Sequence, residues 1–376
     1  MSEKFGVIWP IEPHTEAKHD ILRYYLGAWF PILASTQRRL LYVDGFAGPG
    51  EYEGGKDGSP IIALKVASDH VLKNKLQRSG MELAFFFIEE DAARFQNLEG
   101  KIAELNLPSN FRIIKECDCF ASSFGKVLTE IEQQSKQLAA SFVFIDPFGP
   151  AGFPMSLIGR IAKQPRAEVL ITFNYQSLNQ WFLQDASKHK HVDELYGSNI
   201  WRHALNIPDP SQKEAYLREA YQNTLGNLGW KVRPFQMINK HNQTQYYLFF
   251  ATASPLGMLV MKRAMWGAAP TGDFKYSDLT SSKQGSLFEK VFEEEYARQL
   301  ANQLFQNRKG TRISKNTLIQ NELAWHPVCI DRHLTRALSI LEYESKPSKL
   351  AKVELPDGRK RREKSYPEDC IITFLS

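Results

Sequence analysis

Cysteine is scarce: there are four, and only Cys117 and Cys119 lie close together. One C-x-C pair and two distant thiols, Cys329 and Cys370, make neither a disulfide framework nor a zinc quartet. No apolar run nears the ~20 residues that a membrane helix needs. The opening MSEKFGVIWPIEPH lacks the charged-then-apolar layout of a secretion signal. Repeats and low-complexity segments are missing too. These absences lead to the expectation of a reduced, cytoplasmic globular protein with no membrane partner and no metal.

An excess of one charge is also missing at first sight. Lys and Arg number 47 against 42 Asp and Glu, a net +5. Its position changes its meaning. Between Lys346 and Lys364 stand eight basic and three acidic residues, so this short stretch carries the whole excess. Length is ample: 376 residues, 43% hydrophobic, can bury a full core without staples and predict about two domains.

Short apolar runs alternate with helical patterns along the first two thirds. The segment TEAKHDILRYYLGAW reads as a helix capped by Thr15, with Ile21, Leu22, Tyr25 and Trp29 on one stripe. Runs then appear at Leu40–Asp44, Leu83–Glu90, Phe111–Glu116, Ser141–Asp146 and Glu168–Phe173, with helical patterns following the first three. WKVRPFQMI and TQYYLFFAT add two strands with little helix between them. This grammar predicts a doubly wound, Rossmann-like α/β sheet of seven strands, the last two antiparallel, over residues 1–283. Residues 284–376 read differently. Three helices (Leu287–Phe305, Ile313–Leu323 started by Ser314, and Cys329–Tyr343) precede two short strands that bracket PDGRKRREK. That is the pattern of a winged helix-turn-helix.

The strongest chemical signal follows the first strand: Asp44-Gly45-Phe46-Ala47-Gly48-Pro49-Gly50. Small residues let backbone approach a ligand, at the edge where open α/β sheets bind nucleotide-like molecules. The spacing is not G-x-G-x-x-G, and no Gly-Lys-Ser/Thr follows for ATP phosphates. A plain Gly-rich surface turn would use the same residues. The second strand ends in Glu89-Glu90-Asp91, where Glu89, or less readily Glu90, would accept from ribose hydroxyls. The same acids would equally serve to open a helix. Glu89 lies 45 residues beyond Asp44, more than the ~20 of a dinucleotide sheet, and the insertion EYEGGKDGSP accounts for part of that. Asp118, after the third strand, is placed to meet an adenine amine or to do nothing of the kind.

The fourth strand ends in Asp146-Pro147-Phe148-Gly149. Proline holds a carboxylate and a ring rigidly at the sheet edge, where they can accept a base amine and stack on the base. Asp-Pro is also a common turn starter. Asn174-Tyr175, after the fifth strand, opens onto the same edge, where an amide and a ring would orient a base or simply form a loop.

These motifs resemble class I S-adenosylmethionine-dependent methyltransferases. The Asp-Pro-Phe-Gly step is similar to that of enzymes that dimethylate the guanine amine of tRNA. The combination of HTEAKHDILRYYLGAW, YVDGFAGPG, FIEED, FIDPFG, ATASPLGMLVMKRAMW and the C-terminal pattern resembles the three-Cys-motif partner (TcmP) family over nearly the whole chain. That resemblance implies S-adenosylmethionine as cofactor and a partner carrying a three-cysteine motif, itself similar to radical S-adenosylmethionine proteins. It implies that Asp44, Gly45, Phe46, Ala47, Gly48 and Gly50 hold the methionine end, Glu89 and Glu90 the ribose side and Asp118 the adenine. Asp146 with Phe148 would receive the target amine, held by Pro147, with Asn174 a further candidate on the same edge. Phe148-Gly149 stands where DNA-adenine enzymes carry Pro-Tyr, which weakens an adenine-in-DNA reading.

His14 and Lys18, four apart on the first helix, would face the cofactor mouth or simply form a polar face. Met258, Met261 and Met265 read as core. Arg332, His333 and Arg336 on the third C-terminal helix, with Arg359, Lys360, Arg361 and Arg362 on the wing, are the expected nucleic-acid contacts. The expected activity is methyl transfer to a base amine in DNA or RNA. The alternative is a non-catalytic, cofactor-binding adaptor that tethers the partner to DNA.

Overall fold

The central apolar runs form strands buried on both faces, as parallel pairing favours, while the edge run Phe111–Glu116 is only half-buried. A computed structural model describes residues 6–269, 273–279 and 285–376. By internal packing the chain divides into two units, Met1–Ala253 with Tyr276–Ser281 and Ser254–Lys275 with Ser282–Ser376. The boundary expected at Lys283 falls outside the described residues. The helix Pro255–Ala268, expected with the sheet, groups with the C-terminal residues instead.

In the first unit, β1 (Arg39–Asp44), β2 (Glu82–Ile88), β3 (Phe111–Glu116), β4 (Ala140–Ile145) and β5 (Ala167–Phe173) run parallel. β6 (Lys231–Ile238) and β7 (Thr244–Thr252) form a hairpin, and β7 runs antiparallel to β5. A short strand that the sequence pattern missed, β8 (Lys275–Ser277), makes the sheet eight-stranded. The order is β8-β6-β7-β5-β4-β1-β2-β3. It reverses direction between β1 and β4, the crevice where open α/β sheets place their ligands. Two antiparallel steps make β6 parallel to β5, so the β6–β7 loop returns to the same edge.

Helices cover both faces. α1 (Pro13–Ala34) and α2 (Ser59–Ser68) pack together, and α1 lies over Phe142 and Phe250. α3 (Ala92–Ala103) follows β2. Phe120, Phe124 and Leu128 of α4 (Phe120–Gln133) join Leu157 and Ile161 of α5 (Met155–Ala162) in the opposite core layer. α6 (His189–Tyr196) and α7 (Pro210–Gly226) extend that layer. Thr15 is not the cap of α1: the N-cap is Glu12, and Pro13 at the first helical position supplies a ready-made dihedral.

One buried carboxylate docks α1. Glu168 of β5 accepts from Tyr25 Oη at 2.7 Å, Trp29 Nε1 at 2.9 Å and Thr252 Oγ1 at 2.6 Å. Burial pushes its pKa up, which those three donors oppose.

The second unit holds α8 (Pro255–Ala268), α9 (Gly285–Arg308), β9 (Arg312–Ser314), α10 (Lys315–Leu318) and α11 (Asp331–Ser339). β10 (Leu350–Glu354) and β11 (Ile371–Phe374) follow, and the sheet order is β9-β11-β10, all antiparallel. Ser314 caps α10 as expected, accepting from Thr317 N at 3.1 Å. Met258, Met261 and Met265 are core. Lys262 explains why α8 belongs here: its buried ammonium donates to the carbonyls of Leu323, His326 and Cys329 at 2.6, 3.0 and 2.7 Å. Among the described residues no helix is long and apolar enough to cross a membrane.

Replacing Glu168 with Ala strands three buried donors. The expected cost is about 3–5 kcal/mol of stability in urea unfolding. A loss below 1 kcal/mol would show that the carboxylate is not what docks α1.

Candidate active site

The turn after β1 is knitted into the sheet edge before any ligand arrives. Gly45 N donates to Phe144 O and Ala47 N to Ile88 O, each at 2.9 Å. Gly48 and Gly50 have φ of +63° and +82°, the left-handed region that glycine enters without strain. The insertion that follows is a two-stranded ribbon, Glu51–Tyr52 with Lys56–Asp57, which folds the chain back so that Gly58 N donates to Gly50 O at 2.7 Å. A Cβ at Gly58 would lie 2.9 Å from the Gly50 carbonyl carbon. Bare backbone therefore faces a cavity of about 540 Å³.

Phe46, Ala47, Gly48 and Gly50 line that cavity. Asp44 does not: it is fully buried under the turn, held by Tyr42 Oη, Phe46 N and the Ser59 side chain. The alternation of β1 explains this, since Asp44 shares the face of Leu40 and Tyr42, beneath α2. Gly45 has a packing role as well, because a Cβ there would lie 2.6 Å from the Phe120 ring. Glu89 sits at the end of β2 and braces the turn, accepting from Gly48 N at 2.8 Å and Asp91 N at 2.9 Å. Glu90 points to solvent, and Asp91 caps α3. Asp118 is away from the cavity lining. It accepts from Ser122, Lys126 and Cys119 N, bonds that hold its pKa below the usual range.

Asp146, Pro147, Phe148 and Asn174 all line the cavity. Asp146 is already engaged, ion-paired with the buried Lys18 of α1. Asn174 serves as a brace: its Nδ2 donates to Phe148 O at 3.0 Å, and its Oδ1 accepts from Ser177 N at 3.0 Å. Phe148 is 58% exposed at the mouth. The Arg94 guanidinium lies 5.0 Å from its ring and 4.9 Å from the ring of Trp9.

His14 also lines the cavity, with Nδ1 at 3.1 Å from Asp278 Oδ2. His19, on the same helix, is buried beside Tyr52; burial, with Lys18 next to it, depresses its pKa to about 3, so it stays neutral. Several cavity residues escaped the sequence reading: Trp9, Thr172, Asp278, and the β6–β7 loop with Asn239, Lys240, His241 and Gln245. The loop was within reach, because a hairpin beginning beside β5 must turn at that edge. Asp278 was not, since it lies 264 residues from its partner His14.

The expected nucleic-acid contacts divide sharply. His333 is core: its Nδ1 accepts from Ile330 N at 2.9 Å, and burial lowers its pKa to about 4. Arg336 is clamped by Glu294 and Glu344. Arg332 pairs with Glu293 and lies over the Trp266 ring. Arg361 is nearly buried, bound to Glu342, to the carbonyls of Val353 and Ser365, and against Tyr366. These four hold the fold. Arg359, Lys360 and Arg362 are exposed on the turn between β10 and β11, with Arg359 paired to Asp357.

No family model matches this sequence, and no curated protein matches it. Solved structures do. One is an O-methyltransferase from Bacillus cereus in complex with SAH, 13% identical, covering 64% of this chain and 82% of that one, with a TM-score of 0.34. Another is the Synechocystis magnesium protoporphyrin IX methyltransferase with bound SAH, 11% identical over 65% and 89%, TM-score 0.33. A third is M. jannaschii TYW2 in complex with AdoMet, 9% identical over 64% and 76%, TM-score 0.30. Similarity at this level identifies no substrate.

Burial raises the Asp44 carboxyl from 3.8 to about 7. The fold therefore keeps a proton that the unfolded chain releases, and Asp44 makes stability fall as pH rises from about 4 to about 7. Asp44→Asn removes that dependence. Its stability relative to the parent is expected to improve by roughly 2–3 kcal/mol between pH 5 and pH 8 in urea unfolding. A difference independent of pH would place the Asp44 pKa near its ordinary value.

Proposed function

We propose that this chain is an S-adenosylmethionine-dependent methyltransferase acting on an exocyclic base amine in DNA or RNA. The observation that carries the reading is one cavity at the sheet's switch point, lined both by the glycine turn after β1 and by Asp146-Pro147-Phe148 after β4. The residues fit the cofactor on their own terms. The turn offers backbone without Cβ atoms, is braced by Glu89 through Gly48 N, and carries no Gly-Lys-Ser/Thr for phosphates. When bound, the cofactor supplies an electrophilic methyl on a sulfonium. Asp146 would accept the amine N–H and Phe148 would stack on the base, work of positioning and electrostatics.

The second unit, in this reading, is a winged helix-turn-helix that holds the polymer. Its strand order supports this: β9 pairs with β11, and β11 with β10, around a basic turn. With the helix arginines engaged in the fold, Arg359, Lys360 and Arg362 on the wing are the phosphate contacts. The motif resemblance supports a three-Cys-motif protein as the working partner.

One observation favours a second reading. Lys18 already occupies Asp146, as suits a cofactor-binding adaptor that tethers its partner to nucleic acid without transferring a methyl.

Isothermal titration and methyl-tritiated cofactor separate the two. The enzyme reading expects cofactor binding that survives Asp146→Ala within a few-fold, with label transfer to nucleic acid cut at least ~100-fold. Binding without label on DNA or RNA selects the adaptor; absence of cofactor binding overturns both. For the wing, Ala at Arg359, Lys360 and Arg362 is expected to weaken duplex binding. Its log–log salt slope should flatten by about 0.9 for each phosphate that is no longer neutralised. An unchanged slope would remove the wing from the interface.

A further inference from the structure

We infer that His14, oriented by Asp278, is the general base that takes the proton released at methyl transfer. The inference rests on the methyltransferase reading above. Its starting point is geometric. His14 Nδ1 lies 3.1 Å from Asp278 Oδ2, and the pair is largely buried, with side chains 11% and 6% exposed. With Asp278 as the acceptor of this contact, Nδ1 carries the hydrogen. In the neutral ring Nε2 then holds the lone pair, and the ring lines the cavity.

The pair is held in place from several sides. Tyr246 Oη donates to the His14 carbonyl at 3.0 Å, and the Tyr246 ring meets the imidazole edge-on at 5.5 Å. Lys18, one helical turn further along α1, lies over the same Tyr246 ring at 5.2 Å and binds Asp146. His14 and Asp146 thus flank one aromatic floor. Asp278 directly follows β8, and its backbone is tied to β6 through Asp278 N and Ile238 O at 3.1 Å. The orienting carboxylate is therefore set by the sheet edge rather than by α1.

The chemistry needs such a group. The acceptor nitrogen shares its lone pair with the methyl carbon while the C–S electron pair returns to sulfur as a neutral thioether. That nitrogen then carries one positive charge and loses one proton. Asp146 is already occupied by Lys18. His14 Nε2 takes the proton, Asp278 stabilises the resulting imidazolium, and solvent at the open mouth receives the proton on turnover. The charged and titratable groups around His14 are Glu12 before it, Lys18 and Tyr246 beside it, and Asp278 bound to it. Asp146, from the ribbon Glu51 and Tyr52, and from the β6–β7 loop Lys240 and His241 share its cavity.

Two measurements test this. The first is the ring nitrogen spectrum of His14 in histidine-labelled full-length protein, assigned by its loss in His14→Gln. A neutral ring protonated at Nδ1, with mixed tautomers in Asp278→Asn, supports the inference; a ring protonated at Nε2 overturns it whether or not any polymer is methylated. The second is methyl transfer to total RNA and DNA from tritiated cofactor. His14→Gln is expected to lower kcat about 100-fold or more with cofactor affinity unchanged. Asp278→Asn is expected to lower kcat about 10-fold with cofactor affinity unchanged, because the ring loses the partner that orients it. A His14→Gln rate within threefold of the parent overturns the inference and leaves the methyltransferase reading intact. An inactive parent overturns that reading itself, and with it the role of His14 as a base.

Discussion

The docking of α1 by Glu168 governs the site. Tyr25 and Trp29 reach the same buried carboxylate, which sets both the depth of the helix on the sheet and its rotation. Residues 14, 18, 22, 25 and 29 follow one stripe at helical spacing. Once Tyr25 and Trp29 are fixed, Lys18 and His14 must emerge on the same side, at the sheet's ligand-binding edge. A helix that would otherwise only cover the core thereby delivers an ammonium and an imidazole to the cavity. The arrangement is rigid because three donors share one desolvated acceptor, and each is costly to strand.

The glycine turn depends on a different constraint. Asp44 lies inside the protein, beneath the loop, where burial raises its carboxyl pKa to about 7. Its partners come from β1, the turn and α2, so it ties those three segments together from within. Glu89 braces the outer side through Gly48 N. The turn is thus clamped between two acidic side chains before a ligand arrives, the kind of preorganisation that lowers the cost of binding.

Much of this was legible in the chain. Unbroken apolar runs mark strands buried on both faces, and the last two, with no helix between them, mark the hairpin. The motif residues after β1 and β4 reach one cavity because strand C-termini share one edge. The basic residues of the C-terminal unit were less legible. Counting charges marked Arg332, Arg336 and Arg361 as free cations, yet Glu293, Glu294, Glu344 and Glu342 stand against them. His333 fails for a related reason: a polar residue on a helix can face inward when a backbone N–H needs its lone pair. Lys262 reads along the chain as a surface lysine, while in the fold it gathers three carbonyls.

The sequence by itself determined the parallel sheet, its hairpin edge and the positions of Asp146, Phe148 and the glycine turn, because strand periodicity and turn chemistry are local. Tertiary structure alone decided which charges are spoken for. Lys18 with Asp146 and His14 with Asp278 are pairings across 128 and 264 residues, beyond any pattern read along the chain. Electrostatic partnership depends on distance and burial in space, and those are settled only when the helix meets the sheet.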